Sequence, residues 1–226
     1  MEHCLFIHGF TGGIFEISPL AEYAERRGLK AHTFTLGGHT GRRSDLARFG
    51  RAEWLRQAEG ELTELAKAAA AGVHVIGFSM GALLACHLAN RYREMVKSLT
   101  LLAAPVFPLN PGEIVRTLGK PAMLKNYFRK FGSTPLRANR EFNLLVRESF
   151  TVYPGISAPA LIVQGTRDHL VKTRSASYLQ QHLGSPRSEV LMVEGSGHLL
   201  CYSEEKDKVL SEVLRFISME KNTGME

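Results

Sequence analysis

The 226 residues predict an α/β fold, a mainly parallel sheet of about six strands with helices on both faces and a small helical lid. Two observations carry that prediction. Short apolar runs alternate with segments of helical periodicity almost from end to end. That rhythm breaks once, over residues 105–150, where prolines and short helical pieces without a strand mark the lid. Composition agrees: 44% hydrophobic and 22% charged residues are the proportions of a globular chain long enough to bury a full sheet. One domain over residues 1–226 is expected, with no internal repeat and no low-complexity stretch.

In chain order, HCLFIHG (3–9) reads as a strand and ISPLAEYAERRG (17–28) as a helix closed by a glycine. LKAHTFTL (29–36) is the next strand, followed by the glycine-rich loop GGHTGR (37–42). Residues 51–72 place Trp54, Leu55, Leu62 and Leu65 at helical spacing. VHVIGF (73–78) is a strand, 79–92 a helix, and VKSLTLLAA (96–104) a strand. The rhythm then breaks: residues 105–150 hold short helical pieces and prolines without a strand, as a lid inserted over the sheet would. It resumes with the strand PALIVQG (159–165), a helix over 173–184, the strand SEVLMVEG (188–195) and a last helix over 204–218.

Charge and cysteine usage narrow the class. The net charge is +6, and residues 105–150 carry eight Lys or Arg against three Glu, a surplus of five. Such a segment is either a solvated helical face or one drawn to an anionic surface, here weak contact with anionic lipid. It lacks the motifs and interleaved aromatics of a nucleic-acid binder. Three scattered cysteines, Cys4, Cys86 and Cys201, suit neither a disulfide framework nor a zinc site. No apolar run is long enough to span a membrane. A strand starting at residue 3 leaves no room for a signal peptide, so a cytoplasmic location is expected.

The chemistry centres on Gly77-Phe78-Ser79-Met80-Gly81, a G-x-S-x-G with a strand before it and a helix after it. Passing from strand to helix without a loop forces the serine into a strained conformation that lifts its hydroxyl clear of the sheet's carboxyl edge. Glycines two residues to each side let neighbouring backbone approach. A serine hydroxyl needs a base, and the base an orienting acid, in the order serine, acid, histidine for such an elbow. Of the three aspartates, Asp45 precedes the serine and Asp207 lies in the last helix. Asp168 alone follows a buried strand at the sheet edge where ligands bind. Among the later histidines, His182 sits on an amphipathic helix and His169 adjoins the acid. His198, on the glycine-rich loop EGSGH, is left as the base. The oxyanion hole would combine the amides of Met80, just after the serine, and Phe10, in HGFTGG (8–13) after the first strand, where His8 and Gly9 let the chain turn back. Neither phosphate-loop pattern occurs in that loop.

Together HGFTG, GFSMG, an aspartate four residues after Gln164, SGH near the C-terminus and EKD in the last helix resemble the α/β-hydrolase superfamily over residues 3–218. The match is nearest to its small bacterial carboxylesterases and monoacylglycerol lipases. The resemblance implies Ser79 as nucleophile, His198 as base, Asp168 as orienter, and Phe10 and Met80 as oxyanion donors. Departures are a missing two-stranded antiparallel edge, Ala82 where the family has a second glycine, and GGHTG around His39 in place of GHG.

The expected reaction is two-step hydrolysis of carboxylic esters of short- to medium-chain acyl groups, with no metal or cofactor. Activity is expected to fall where imidazoles protonate, at roughly pH 6–7 and below. Met123, Leu124, Tyr127, Phe128 and Phe131 fall on one face of the lid and either pack the lid itself or line an acyl tunnel. Alternatives are a monoacylglycerol lipase or lysophospholipase, a C–C or lactone hydrolase, and a slow-turnover small-molecule receptor.

Overall fold

The computed structural model describes residues 2–69, 71–108 and 134–222. Six parallel strands form one sheet in the order β2-β1-β3-β4-β5-β6: β1 (His3–Ile7), β2 (Lys30–Thr33), β3 (Val73–Phe78), β4 (Val96–Leu102), β5 (Ala160–Gly165) and β6 (Ser188–Val193). The helices are α1 (Ser18–Arg26), α2 (Arg43–Leu46), α3 (Arg51–Ala68), α4 (Met80–Arg91), α5 (Leu136–Ser149), α6 (Arg174–His182) and α7 (Lys206–Asn222).

The continuous apolar runs conceal a period of two. In β1, Leu5 and Ile7 face the core under α3, α4, α5 and α6, while Cys4 and Phe6 face the core under α1 and α7. The same division separates Val73 and Val75 from Ile76 and Phe78 in β3, and Ala160 and Ile162 from Leu161 and Val163 in β5. With both faces covered, every residue of these three strands is buried. The edge strands β2 and β6 are only partly buried, which explains their more polar sequences, KAHT and SEVLMV.

The strand order places the chain's switch of direction between β1 and β3, the crevice where open parallel sheets bind ligands. Ile7 pairs with Gly77, so the loops that leave β1 and β3 emerge side by side.

Elements expected from periodicity are present, most of them with shorter ends. The helix expected over 51–72 stops at Ala68, and the last helix runs on to Asn222. Among the described residues, four short elements lacked a sequence signal: 3-10 turns over Ile14–Glu16, Tyr153–Gly155 and Leu200–Tyr202, and the four-residue α2 inside the glycine-rich loop. Of residues 105–150, the described part includes α5, whose buried Ala138, Phe142, Leu145 and Val146 pack on α3 and α4. Arg51 of α3 clamps it through ion pairs to Glu141 and Glu148. The candidate lid residues Met123, Leu124, Tyr127, Phe128 and Phe131 lie outside the described residues.

Candidate active site

Ser79 stands at the joint of β3 and α4 with φ +52° and ψ −118°. A left-handed φ in a non-glycine residue costs about 1–3 kcal/mol and persists only where surrounding structure holds it. That hold is visible. The Ser79 amide donates to Leu102 O at 2.8 Å, and its carbonyl accepts from Ala82 N at 2.9 Å. A Cβ on Gly77 would strike the first turn of α4, and one on Gly81 would strike the carbonyls of Ile7 and His8 at the end of β1. The two glycines therefore let α4 start immediately and lie against β1.

His198 approaches from the loop after β6 and Asp168 from the loop after β5, adjacent strands in the sheet. Arg167 N donates to Ser196 O at 2.9 Å, and Gly195 N to Thr166 Oγ1 at 2.9 Å, so the two loops are tied together. His198 Nδ1 lies 2.8 Å from Asp168 Oδ2, and its Nε2 lies 3.2 Å from Ser79 Oγ. The carboxylate makes Nδ1 the protonated nitrogen, which leaves the Nε2 lone pair facing the serine.

The Asp168 side chain is fully buried, while that of His198 is 16% exposed. Burial alone would raise the Asp168 pKa. The hydrogen bond and charge of His198, with the amides of Val171 and Leu170, outweigh it and hold the carboxyl below its ordinary range. Those two amides reach Oδ1 at 2.9 and 2.8 Å, and Gln164 Nε2 reaches Oδ2 at 3.2 Å. Buried Gln164 thus supports the carboxylate, a part that its position inside a strand did not announce.

The loop after β1 is pinned at three points. Gly9 N donates to Glu16 Oε2 at 2.8 Å, His8 Nδ1 donates to Gly9 O at 2.9 Å, and Leu36 N donates to His8 Nε2 at 3.0 Å. Both His8 nitrogens are used by the neutral ring, and burial pushes its pKa down to about 4. Because a trans peptide directs its C=O and N–H to opposite sides, anchoring Gly9 O turns Phe10 N–H away from His8. Among the described residues, no backbone hydrogen bond takes up the N–H of Phe10 or of Met80.

The Phe10 ring stacks on Phe142 of α5 at 5.0 Å and meets Trp54 edge-on at 5.8 Å. His39 sits beneath this loop. Its Nδ1 lies 3.2 Å from the carbonyls of Leu36 and Gly37, and its ring packs on His8, Phe10 and Trp54. A cavity of about 160 Å³ opens beside it, bordered by Thr11, Gly12, Arg42 and Arg43.

Residues 4–212 match the model of the alpha/beta hydrolase family. The chain belongs to that family. A carboxylesterase of Bacillus subtilis (strain 168) is 23% identical over 226 residues, covering 94% of this chain and 91% of the esterase. A thermostable monoacylglycerol lipase of Bacillus sp. (strain H-257) is 26% identical over 224 residues, covering 95% and 89%. Among solved structures, a chain from work on the metagenome-derived lipolytic enzymes LipS and LipT superposes with a TM-score of 0.83 at 22% identity, covering 96% of this chain and 93% of that one. A monoglyceride lipase from Saccharomyces cerevisiae, bound to a substrate analogue, gives 0.78 at 15% identity, covering 97% and 87%. At such identities the structural likeness is one of fold.

Within this α/β-hydrolase, the other late histidines stand apart. His169 is exposed, and His182 stacks on Tyr178 with its Nδ1 donating to Tyr178 O. Among the described residues, no three His, Cys, Asp or Glu side chains are grouped to hold a metal, and no helix is long and apolar enough to cross a membrane. Cys4, Cys86 and Cys201 are buried and unbridged. Glu16 is the residue near the serine that sequence reasoning missed. Its signal was faint: an acidic side chain in an otherwise apolar stretch, IFEI, just after a glycine-rich loop.

Proposed function

We propose that the protein is a serine hydrolase of carboxylic esters with short- to medium-chain acyl groups, acting through an acyl-enzyme. The observation that carries this reading is the chain of contacts from buried Asp168 through His198 to Ser79 Oγ, at 2.8 and 3.2 Å, on a strained elbow. Ser79 Oγ attacks the acyl carbon while His198 Nε2 takes its proton. The carbonyl electrons move to an oxyanion held by the Phe10 and Met80 amides, at the N-terminus of α4, where the helix dipole favours negative charge. The C–O bond to the alcohol then breaks and His198 returns the proton to the leaving oxygen. Water, deprotonated by His198, repeats the sequence and releases the acid.

Relatives named carboxylesterase and monoacylglycerol lipase, each matched over nearly their whole length, support esters of simple alcohols or glycerol as substrates. The same reading takes residues 1–226 as one domain with a lid over about 105–150, working in the cytoplasm on a diffusible ester.

Initial rates on p-nitrophenyl esters from acetate to palmitate, with Ser79→Ala as the blank, test the proposal. Rates peaking between butyrate and decanoate, and falling on the order of 10⁵–10⁶-fold in the variant, are expected. Absence of any ester turnover above the blank would overturn it.

A further inference from the structure

Glu16 is only 9% exposed, and an acidic side chain taken out of water is costly unless its oxygens hold donors. Gly9 N–H is such a donor, reaching Oε2 at 2.8 Å. The contact is close to the reacting centre. A Cβ placed on Gly9 would lie 3.1 Å from both Glu16 Oε2 and Ser79 Cβ, so only the width of one glycine separates carboxylate and nucleophile. A Cβ on Gly12 would run into the Glu16 carboxyl group, so the glycine-rich loop wraps around this side chain.

The turn that bears Glu16 is also tied to the loop of the base. Tyr202 Oη donates to Phe15 O at 2.6 Å, and Tyr202 belongs to the 3-10 turn Leu200–Tyr202 just beyond His198. Leu200 N in turn donates to His198 O at 3.0 Å. A continuous set of contacts therefore runs from Gly9 through the Ile14–Glu16 turn to the segment that carries His198.

We propose that Glu16 is a positioning residue for the oxyanion hole, deepening the ester-hydrolase reading and resting on it. Its carboxylate fixes the peptide before Gly9 as His8 fixes the peptide after it. With both peptides held, the Phe10 N–H is aimed before substrate arrives. Preorganised donors of this kind act on the transition state more than on the bound ester, so the loss should appear in kcat rather than KM.

The experiment measures kcat and KM on p-nitrophenyl butyrate for the wild type, E16A, E16Q, E16D and S79A. It adds the inhibition constant of an aliphatic trifluoromethyl ketone. That ketone accepts Ser79 Oγ at its carbonyl carbon, the serine proton passing to His198 Nε2 and the carbonyl electrons becoming an oxyanion in the hole. E16A should lose on the order of 10²-fold in kcat, the scale of one oxyanion donor, with KM within about threefold. Its ketone affinity should weaken by a similar factor. E16Q, whose amide oxygen still accepts Gly9 N–H, should recover most of both. E16D keeps the carboxyl group but draws it back by one methylene, so it should lose kcat like E16A, and it decides the matter if E16A does not fold.

A folded E16A or E16D with wild-type kcat and ketone affinity, or an E16Q as impaired as E16A, overturns the proposal. If S79A keeps the wild-type rate, the ester-hydrolase reading falls and this inference with it. If S79A is inactive while E16A and E16D are unimpaired, only this inference falls.

Discussion

Asp168 shows how one side chain acquires its character from its surroundings. Removed from water it would resist ionisation, yet two backbone amides, Gln164 and His198 converge on its oxygens and hold the charge in place. Asp168→Asn retains the shape but replaces one acceptor oxygen with a donor. The imidazole then loses the partner that keeps the proton on Nδ1 and the Nε2 lone pair toward Ser79. Under the proposed mechanism kcat should fall on the order of 10³–10⁴-fold with little change in KM or melting temperature. Ester hydrolysis assays beside a thermal melt check this, and a kcat within tenfold of wild type would remove Asp168 from the mechanism.

Elements matter here through how closely they approach. The start of α4 rests against the end of β1 at Gly81, where even one added methyl group meets the carbonyls of Ile7 and His8. Gly81→Val should push α4 off β1, costing about 1–3 kcal/mol by overpacking, or several degrees of melting temperature at this chain length. The same displacement moves Ser79 and the Met80 amide, so ester turnover should fall further than stability alone explains. Differential scanning calorimetry with activity measured well below the melt separates the two effects. Unchanged values for both would show that the helix start has slack the geometry denies it. The G-x-S-x-G spacing was legible because strand, elbow and helix are all local. Glu16 was not, because its partner Gly9 belongs to a loop whose path is set by β1 and β3 pairing, and no periodicity reports that.

At the scale of the whole molecule, histidines buried without charge contribute to the response to acid. His74 lies inside the sheet with Nδ1 2.7 Å from Ser98 Oγ and Nε2 3.3 Å from Glu2 Oε2. Burial pushes its pKa down to about 4 despite the pull of the Glu2 carboxylate, and His8 is pushed to about 4 as well. The unfolded chain protonates both near pH 6.5. Their contribution to stability is therefore present above about pH 6.5, and it is lost as pH falls from there toward 4, because only the unfolded state takes up the protons. Each group contributes up to about 1.4 kcal/mol per pH unit in that window. Urea midpoints should drop between pH 7 and pH 5, and His74→Gln should shrink the drop. An equal drop in wild type and variant would exclude His74 as a source.

What the sequence determined alone is what depends on local pattern. Apolar runs of strand length, helical spacing around Trp54 and Leu62, and glycines flanking Ser79 sufficed for the fold class, most element positions and the candidates Ser79, Asp168 and His198. Chain order and elimination selected those residues, but only the tertiary structure brought them within hydrogen-bonding distance, because β3, β5 and β6 must lie in one sheet before their loops can meet. The support around them was likewise invisible in one dimension. Gln164 beneath Asp168, His8 clasped between Gly9 and Leu36, and Glu16 tied to Gly9 each depend on a chain reversal or a strand pairing. A side-chain hydrogen bond within or between loops leaves no periodic trace, and the path of the folded chain rather than propensity decides it.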